Sequence, residues 1–409
     1  MRWIVHTLED AGHETWTVGG AVRDVLAGRA AGDWDLTTRA RPADVRRLFR
    51  RTVPVGIDHG TVGILARDGA MYEITTFRKD VETDGRHAVV SFSDRLIDDL
   101  ARRDFTINAI AWHPIRNEIS DPYGGAKDLR AGVLRTVGTP SERFSEDYLR
   151  VLRALRFASR YGLRIDPPTW TAAVAAAPHL STLSAERIRE ELLKILDADR
   201  RPSSALDLYA ASGAMSVLYP ELDRLRSTEH WPVTTASVDH LPPGRPLLRL
   251  AALLHDLSPH ETAQVLVRLR LSNAQTDAVA HRAGAPPMPG PEASDADVRR
   301  WLATVGPDHL PGVARVALAR ARVGAGDPEV VVASWRRARA VRATRPPLVV
   351  GDLAIGGRDL IRLGLRPGPA FKEILQALLD RVLDDPRRNR PDELEDEVRR
   401  MVETGDFGG

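Results

Sequence analysis

The chain has 409 residues, no cysteine, and 58 lysines and arginines against 56 aspartates and glutamates, for a net charge of +2. That length predicts two or more domains, the missing cysteine excludes disulfides and thiolate zinc sites and suits a reducing cytoplasm, and no apolar run approaches the roughly 20 residues needed to cross a bilayer. The N-terminal MRWIVHTLEDAGHE meets charge within a few residues, unlike a secretory signal. Overall charge does not select a partner. The cations are nearly all arginine, which fits GC-rich coding and equally fits planar, bidentate phosphate contacts, so local placement has to decide.

WIVHTLEDAG at 3–12 predicts an opening helix, and HETWTVGGAVRD at 13–24 a strand running into a glycine turn. After a short helix comes DWD at 33–35. Asp33 and Asp35, one residue apart on an extended strand, project to the same side, with Trp34 turned away. Such a pair downstream of a glycine turn can hold Mg²⁺ between a nucleoside triphosphate and an attacking hydroxyl. The glycines let backbone amides approach phosphates, and Arg23 can add a charge-assisted contact. An ordinary turn beside a chance acidic pair is the competing explanation.

RPADVRRLFR at 41–50 predicts a second helix, and 53–77 two β-rich runs separated by DGA, as in a hairpin. Glu73, in the second run, is expected to be an exposed strand side chain; a third carboxylate beside Asp33 and Asp35 is the alternative. FRKDVETDGRHAVVSF at 77–92 is charged and contains glycine, and is expected to be a mobile connection or a lid over substrate. Arg102, Arg103 and Asp104 are expected to precede an apolar helix, and DPYGGAKDL at 121–129 supplies the turn that closes the first domain.

SERFSEDYLRVLRALRFASRYG at 141–162 is expected to be one helix. Asp147, Arg150, Arg153 and Arg156 recur every three residues, and Leu149, Leu152 and Leu155 repeat two positions on, about 200° around the axis. One face packs and the other presents an acid and three arginines. Composition divides evenly between a solvated face of weak ion pairs and a binding face. LSAERIREELLKIL at 183–196 starts at a Ser184 cap and carries Ile188, Leu192 and Ile195 on one side. From 201 onward helix follows helix, interrupted at PPGRP and at PPMPGPEA, 286–293.

GGAVRD with DWD, RRDFTINA, DPYGGAKDL, EDYLR and ERIREELLK occur in the order and at the spacing of the five motifs of class II tRNA nucleotidyltransferases and their poly(A) polymerase relatives, and the chain resembles that family. The resemblance implies an α+β polymerase-β-like nucleotidyltransferase head with a mixed sheet, followed by an all-α neck, body and tail. It divides the chain into a catalytic head at 1–137, a neck with the base template at 138–200, a body at 201–290 and a tRNA-binding tail at 291–409. Asp33 and Asp35 are then the catalytic metal ligands for Mg²⁺, and Gly20, Arg23 and Arg103 hold the triphosphate and sugar. Asp147 and Arg150 read the Watson–Crick edge of CTP or ATP, chemistry that their acceptor and donor groups allow. Arg153 and Arg156 face phosphate or primer. Arg187, Glu191 and Lys194 in the fifth motif brace the neck.

His255 and Asp256, with His230, His260 and His281 around them, faintly resemble an HD-type metal domain; Leu257, Ser258 and Pro259 follow the dyad where glycine and lysine are usual, so a degenerate remnant is expected. The tail pattern at 348–369 resembles segments that contact the tRNA elbow, with Arg358, Arg362 and Arg366 suited to phosphate or to solubility. The implied activity is cytoplasmic addition of C, C and A to the tRNA 3′ end from CTP and ATP, with no membrane partner. A CC-adding enzyme, an A-adding enzyme and a poly(A) polymerase are the alternatives within the family; DGRHAVVSF at 84–92 argues against the CC-only form, and GIDHGTVGILARDGAMYEITTF at 56–77 resembles the CCA enzymes more than the polymerases that make poly(A). A non-catalytic tRNA-binding protein is the alternative outside it, and the intact DWD speaks against that.

Overall fold

The computed structural model describes residues 1–57, 60–83, 88–198 and 201–404. They fall into two compact units, Met1–Asp223 and Arg224–Gly409.

The first unit begins with α1 (Arg2–Asp10), which buries Ile4, Val5 and Leu8 along one side. Its strands are β1 (Thr15–Val18), β2 (Asp35–Thr38), β3 (Thr52–Gly56), β4 (Thr61–Leu65), β5 (Met71–Thr76), β6 (Arg78–Thr83), β7 (Ala88–Phe92), β8 (Ala111–His113), β9 (Glu118–Ser120), β10 (Val133–Leu134) and β11 (Arg164–Ile165). Seven of them form one sheet in the order β3-β4-β5-β2-β1-β8-β9. The β2–β5 pair is parallel and its neighbours are antiparallel, so the sheet is mixed. Between the strands lie α2 (Gly20–Leu26), α3 (Pro42–Leu48), α4 (Leu96–Ala101) and α5 (Gly125–Arg130). The core built by α1 and α3 gathers Ile4, Leu8, Leu36, Val45, Phe49, Val62, Ile64 and Ile74. A second core gathers Trp16, Val18, Phe77, Leu96, Leu100 and Ala111. Alternation along the strands gives each core its share, as period-two side chains must.

The helices that follow are α6 (Pro140–Glu146), α7 (Leu149–Tyr161), α8 (Pro167–Ala176), α9 (Ala185–Ala198), α10 (Pro202–Ala211), α11 (Ala214–Leu218) and α12 (Pro220–Leu225), the last reaching the end of the unit. The regular elements described in the second unit are all helices, chief among them α13 (Trp231–His240), α14 (Pro246–Leu253), α15 (Pro259–Leu269), α16 (Asn273–Ala283), α17 (Asp295–Val305), α18 (Leu310–Arg322), α19 (Pro328–Ala343), α20 (Gly357–Arg362), α21 (Ala370–Asp384) and α22 (Pro391–Glu403). Trp301, Leu302, Val341, Leu360, Leu378 and Val398 meet in its core. The α+β head followed by helices is thus the observed architecture.

Four local expectations change. The stretch 53–77 forms three strands, because its first run divides into β3 and β4 around 57–60. The stretch 77–92 contains an antiparallel pair, β6 and β7, in place of a loop; residues 84–87, where a lid was expected, lie outside the described residues. No helix follows Arg103. Asp104 accepts from the Phe105 amide at 2.9 Å and from Asn108 Nδ2 at 2.8 Å, which turns the chain through a short 3₁₀ segment, Thr106–Asn108, into β8. Finally, 141–162 is two helices: Asp147 is extended, at φ −159° and ψ 104°, and separates α6 from α7.

Gly125, in the glycine pair of 121–129, is required by close approach. A Cβ there would lie 2.0 Å from the Thr106 carbonyl oxygen, a backbone atom that cannot step aside.

Candidate active site

A cavity of about 590 Å³ opens in the first unit between the strand ends and α7. Its lining includes Gly19, Gly20, Arg23, Asp35, Glu73, Arg103, Asp147, Arg150, Arg153 and Arg156, so it brings together nearly all the side chains singled out from the sequence. Asp33 is not in the lining; it sits in the bend before β2, exposed, while Asp35 is the first residue of the strand. The two aspartates are therefore neighbours, although only one is in the ladder.

Asp35 pairs in register with Val18 of β1, directly before the glycine turn. Gly19 has φ +74°, a left-handed conformation that L side chains rarely adopt, and a Cβ there would come within 3.0 Å of Arg103 Nη1. The left-handed turn thus calls for glycine, and the tip of Arg103 packs closely against it. Burial raises the pKa of Asp35, the negative charges of Glu73 and Asp33 raise it further, and Arg103 opposes them. Glu73, expected to be a plain exposed strand residue, instead faces the cavity. The parallel register Leu36↔Ile74 and Thr37↔Thr75 runs it alongside Asp35, so the signal lay in β5 alternation, with Glu73 and Thr75 both on the cavity side.

Eight arginines and four acidic residues line the cavity, a surplus of positive charge suited to a polyphosphate. Several of these arginines are held by carboxylates. Arg23 is buried and donates to Asp24 at 2.9 Å and to Asn108 Oδ1 at 2.5 Å, with its guanidinium over Tyr161 at 4.6 Å. Its fork is spent on the protein, so it adds charge to the wall. Arg103 donates to Asp99 at 3.2 Å and to the Asn108 carbonyl at 3.3 Å, while its Nε is buried without a partner. The paired Arg102 and Arg103 charges hold the buried Asp99 carboxyl below its ordinary range against the upward pull of burial.

The stripe at Asp147, Arg150, Arg153 and Arg156 is equally worked into the fold. Asp147 Oδ1 accepts from the Leu149 amide at 3.0 Å and so caps α7, and Oδ2 accepts from Arg187 at 2.6 Å. Arg150 donates to Glu146 at 2.5 Å and to the carbonyls of Arg143 and Arg102. Arg153 donates to Asp104 at 2.7 Å, and Arg156 to the buried Glu191 at 2.6 Å. Burial would raise the Asp104 carboxyl, but the Arg153 charge and the bonds from Asn108 and Phe105 outweigh it and take its pKa down to about 2. Arg187 and Glu191 of the 186–194 stretch therefore hold Asp147 and Arg156 directly. Asp104 and Asn108 of RRDFTINA link Arg153 to Arg23, a bonding role that the sequence pattern did not reveal because single buried polar residues have no periodicity.

In the second unit, Asp256 takes two bonds from Arg320, at 2.7 and 2.8 Å, and one from the Thr234 hydroxyl. Burial and the Arg320 charge lower the pKa of His255. The dyad is thus tied into an arginine bridge. Arg362 in the tail bonds Asp359 and Glu395, whereas Arg358 and Arg366 are exposed.

A mixed sheet carrying an aspartate pair beside a glycine turn, facing an arginine wall, defines a nucleotidyltransferase head of the polymerase-β type. Residues 15–135 match the Poly A polymerase head domain and residues 162–225 the probable RNA and SrmB-binding site of polymerase A. The chain is 35% identical over 402 residues to a CCA-adding enzyme of Geobacillus stearothermophilus, covering 96% of this chain and 94% of the relative, and 32% identical over 414 residues to one of Lactobacillus helveticus, with the same coverage. It belongs to the CCA-adding enzymes of the tRNA nucleotidyltransferase and poly(A) polymerase family. The crystal structure of the Bacillus stearothermophilus CCA-adding enzyme in complex with CTP superposes with a TM-score of 0.77 at 33% identity, covering 99% of this chain and 97% of that one.

Proposed function

We propose that this protein adds C, C and A to the 3′ end of tRNA, taking CTP and ATP in one cavity and using Mg²⁺, as an enzyme of the cytoplasmic tRNA pool. The observation that carries the reading is the meeting, in one 590 Å³ space, of the Asp35 carboxylate, the glycine turn and the Asp147–Arg150 pair. Asp33 and Asp35 are the metal ligands in this reading, with Glu73 beside them. The donor set fits a hard divalent cation: all are carboxylate oxygens, and burial together with the charges of Glu73 and Asp33 raises the Asp35 pKa, a cost that a cation relieves. When bound, Mg²⁺ supplies charge neutralisation at the triphosphate and activation of the primer hydroxyl. The chain's own groups do the rest. Arg103 lines the cavity beside Gly19 and brings its charge to the triphosphate. Asp147 accepts from the exocyclic amine of cytosine or adenine, and Arg150 donates to the ring edge; uracil and guanine present the wrong edge.

The test is incorporation of each labelled triphosphate into tRNAs ending in the discriminator base, in C, or in CC. CTP should extend the first two and ATP the third, with UTP and GTP refused. Extension by ATP alone, arrest after CC, or a growing adenosine tail would each assign a different family activity.

A further inference from the structure

Asp277 and His281 lie four residues apart on α16, on one face of that helix. His309 caps the start of α18 and meets them. One side-chain ligand atom from each of the three residues lies within 4.8 Å of the other two, and no other such trio of potential ligands occurs among the described residues. Asp277 Oδ1 is 3.1 Å from His281 Nδ1, and Asp277 Oδ2 is 3.3 Å from His309 Nε2. The two imidazoles are stacked, with centroids 4.7 Å apart and planes 19° from parallel. Gly306, at φ +83°, makes room for the second ring: a Cβ there would come within 3.1 Å of His309 Cδ2.

We infer that these three side chains form a binding site for one divalent transition-metal ion of the Zn²⁺ type, which fastens α16 to the turn before α18. Two imidazoles and a carboxylate suit Zn²⁺, Co²⁺, Ni²⁺ or Cu²⁺ and disfavour Mg²⁺. With metal–ligand bonds of about 2.0–2.1 Å, neighbouring donors of a tetrahedral ion are about 3.3 Å apart; the Asp277 carboxylate already stands 3.1 Å from His281 Nδ1 through Oδ1 and 3.3 Å from His309 Nε2 through Oδ2, and one ligand atom of each residue lies within 4.8 Å of the other two. The closing movement falls on the imidazoles, and His281, being exposed, is free to make it. His281 Nδ1 also lies 2.9 Å from the Asp277 carbonyl oxygen, a contact that Nδ1 gives up when it takes the metal. Three protein donors leave the fourth position to water. Neither the HD-like dyad nor the head carboxylates take part: Asp256 is held by Arg320, and Asp33 and Asp35 belong to the first unit.

The experiment uses tag-free, chelator-stripped, full-length protein with Mg²⁺ in excess to occupy oxygen-only sites. Co²⁺ is titrated while the visible d–d absorption is recorded, Zn²⁺ is then added in competition, and the thermal midpoint is followed. One equivalent of Co²⁺ should bind with a visible band, be displaced by Zn²⁺, and raise the midpoint. His281→Ala and His309→Ala should each weaken binding by at least about a hundredfold, since even loss of an outer-shell partner costs 10–100-fold, and should abolish the rise in midpoint. If either alanine variant unfolds, His281→Gln and His309→Asn replace them. Absence of the band in the wild type, or a band and stoichiometry kept in folded variants of both histidines, overturns the site.

Discussion

Replacing Asp104 by Asn removes one buried negative charge and keeps one oxygen in place of two, where Oδ1 now accepts from the Phe105 amide and Asn108 and Oδ2 from Arg153. The carboxyl has its pKa lowered from 3.8 to about 2 by Arg153, Asn108 and Phe105. A carboxyl lowered on folding contributes stability that is complete above its unfolded value and is lost as pH falls through the folded one. At about 1.4 kcal/mol per decade, the difference is worth about 2 kcal/mol at pH 7. For a unit of this size that corresponds to a fall of about 4–8 °C in melting temperature. Urea unfolding of wild type and Asp104→Asn between pH 3 and pH 7 should show a gap that is full at neutral pH and about halved by pH 3, as the linkage relation requires. A gap that stays constant across this range would mean that the cost comes from geometry, and no gap at pH 7 would mean that the Arg153 pair contributes nothing. Either result refutes the assignment of Asp104 as the ionised anchor of Arg153.

Asp35, whose pKa is raised by burial, by Glu73 and by Asp33, has the opposite sign: its ionisation costs stability above the folded-state value and costs nothing below the unfolded one. Asp35→Asn should therefore raise the melting temperature at pH 7 in chelator, lose that advantage in acid, and abolish incorporation of both CTP and ATP; retained activity would remove Asp35 from the metal site. Asp147→Ala should lower discrimination against UTP by about tenfold to a hundredfold, for a lost charge-assisted bond of roughly 1.5–3 kcal/mol, and unchanged kcat/KM ratios in a folded variant would end the template role. Glu191→Ala, which strands the buried Arg156, should cost about 3–5 kcal/mol by denaturant midpoint, and Arg156→Met with Glu191→Leu should recover most of it. Gly125→Ala should destabilise by at least about 3 kcal/mol through its clash with the Thr106 carbonyl, whereas Gly32→Ala, facing open space, should leave the midpoint unchanged.

Periodicity made much of this fold legible. The apolar spacing of α1 and the leucine stripe of α7 announced their buried faces, and the glycine turn with its acidic pair announced the cavity. What failed was local and side-chain driven. The helix expected after Arg103 gave way because Asp104 and Asn108 bond each other and the chain enters β8, where Ala111 pairs with Val18. The continuous helix expected at 141–162 broke because Asp147 offers the Leu149 amide a better acceptor than a helical carbonyl. Glu73 was misjudged because alternation along β5 sets it on one face with Thr75 but does not say that this face meets Asp35, which follows only from the long-range parallel pairing with β2.

The carboxylate of Asp147 terminates one helix, starts the next and anchors Arg187, and in the proposed reaction it also identifies the base. Letter choice and scaffold are thus written in the same two oxygen atoms. Selection for a new nucleotide alphabet at this position would meet a folding penalty of about 1 kcal/mol, the usual loss of a helix cap, before any gain in the new specificity is felt. Arg150 carries a similar double load, since it donates to Glu146, to the carbonyl of Arg143 in the last turn of α6 and to the carbonyl of Arg102 at the end of α4, so an enzyme recoded for uridine or guanosine should need this region stabilised elsewhere before either residue is altered.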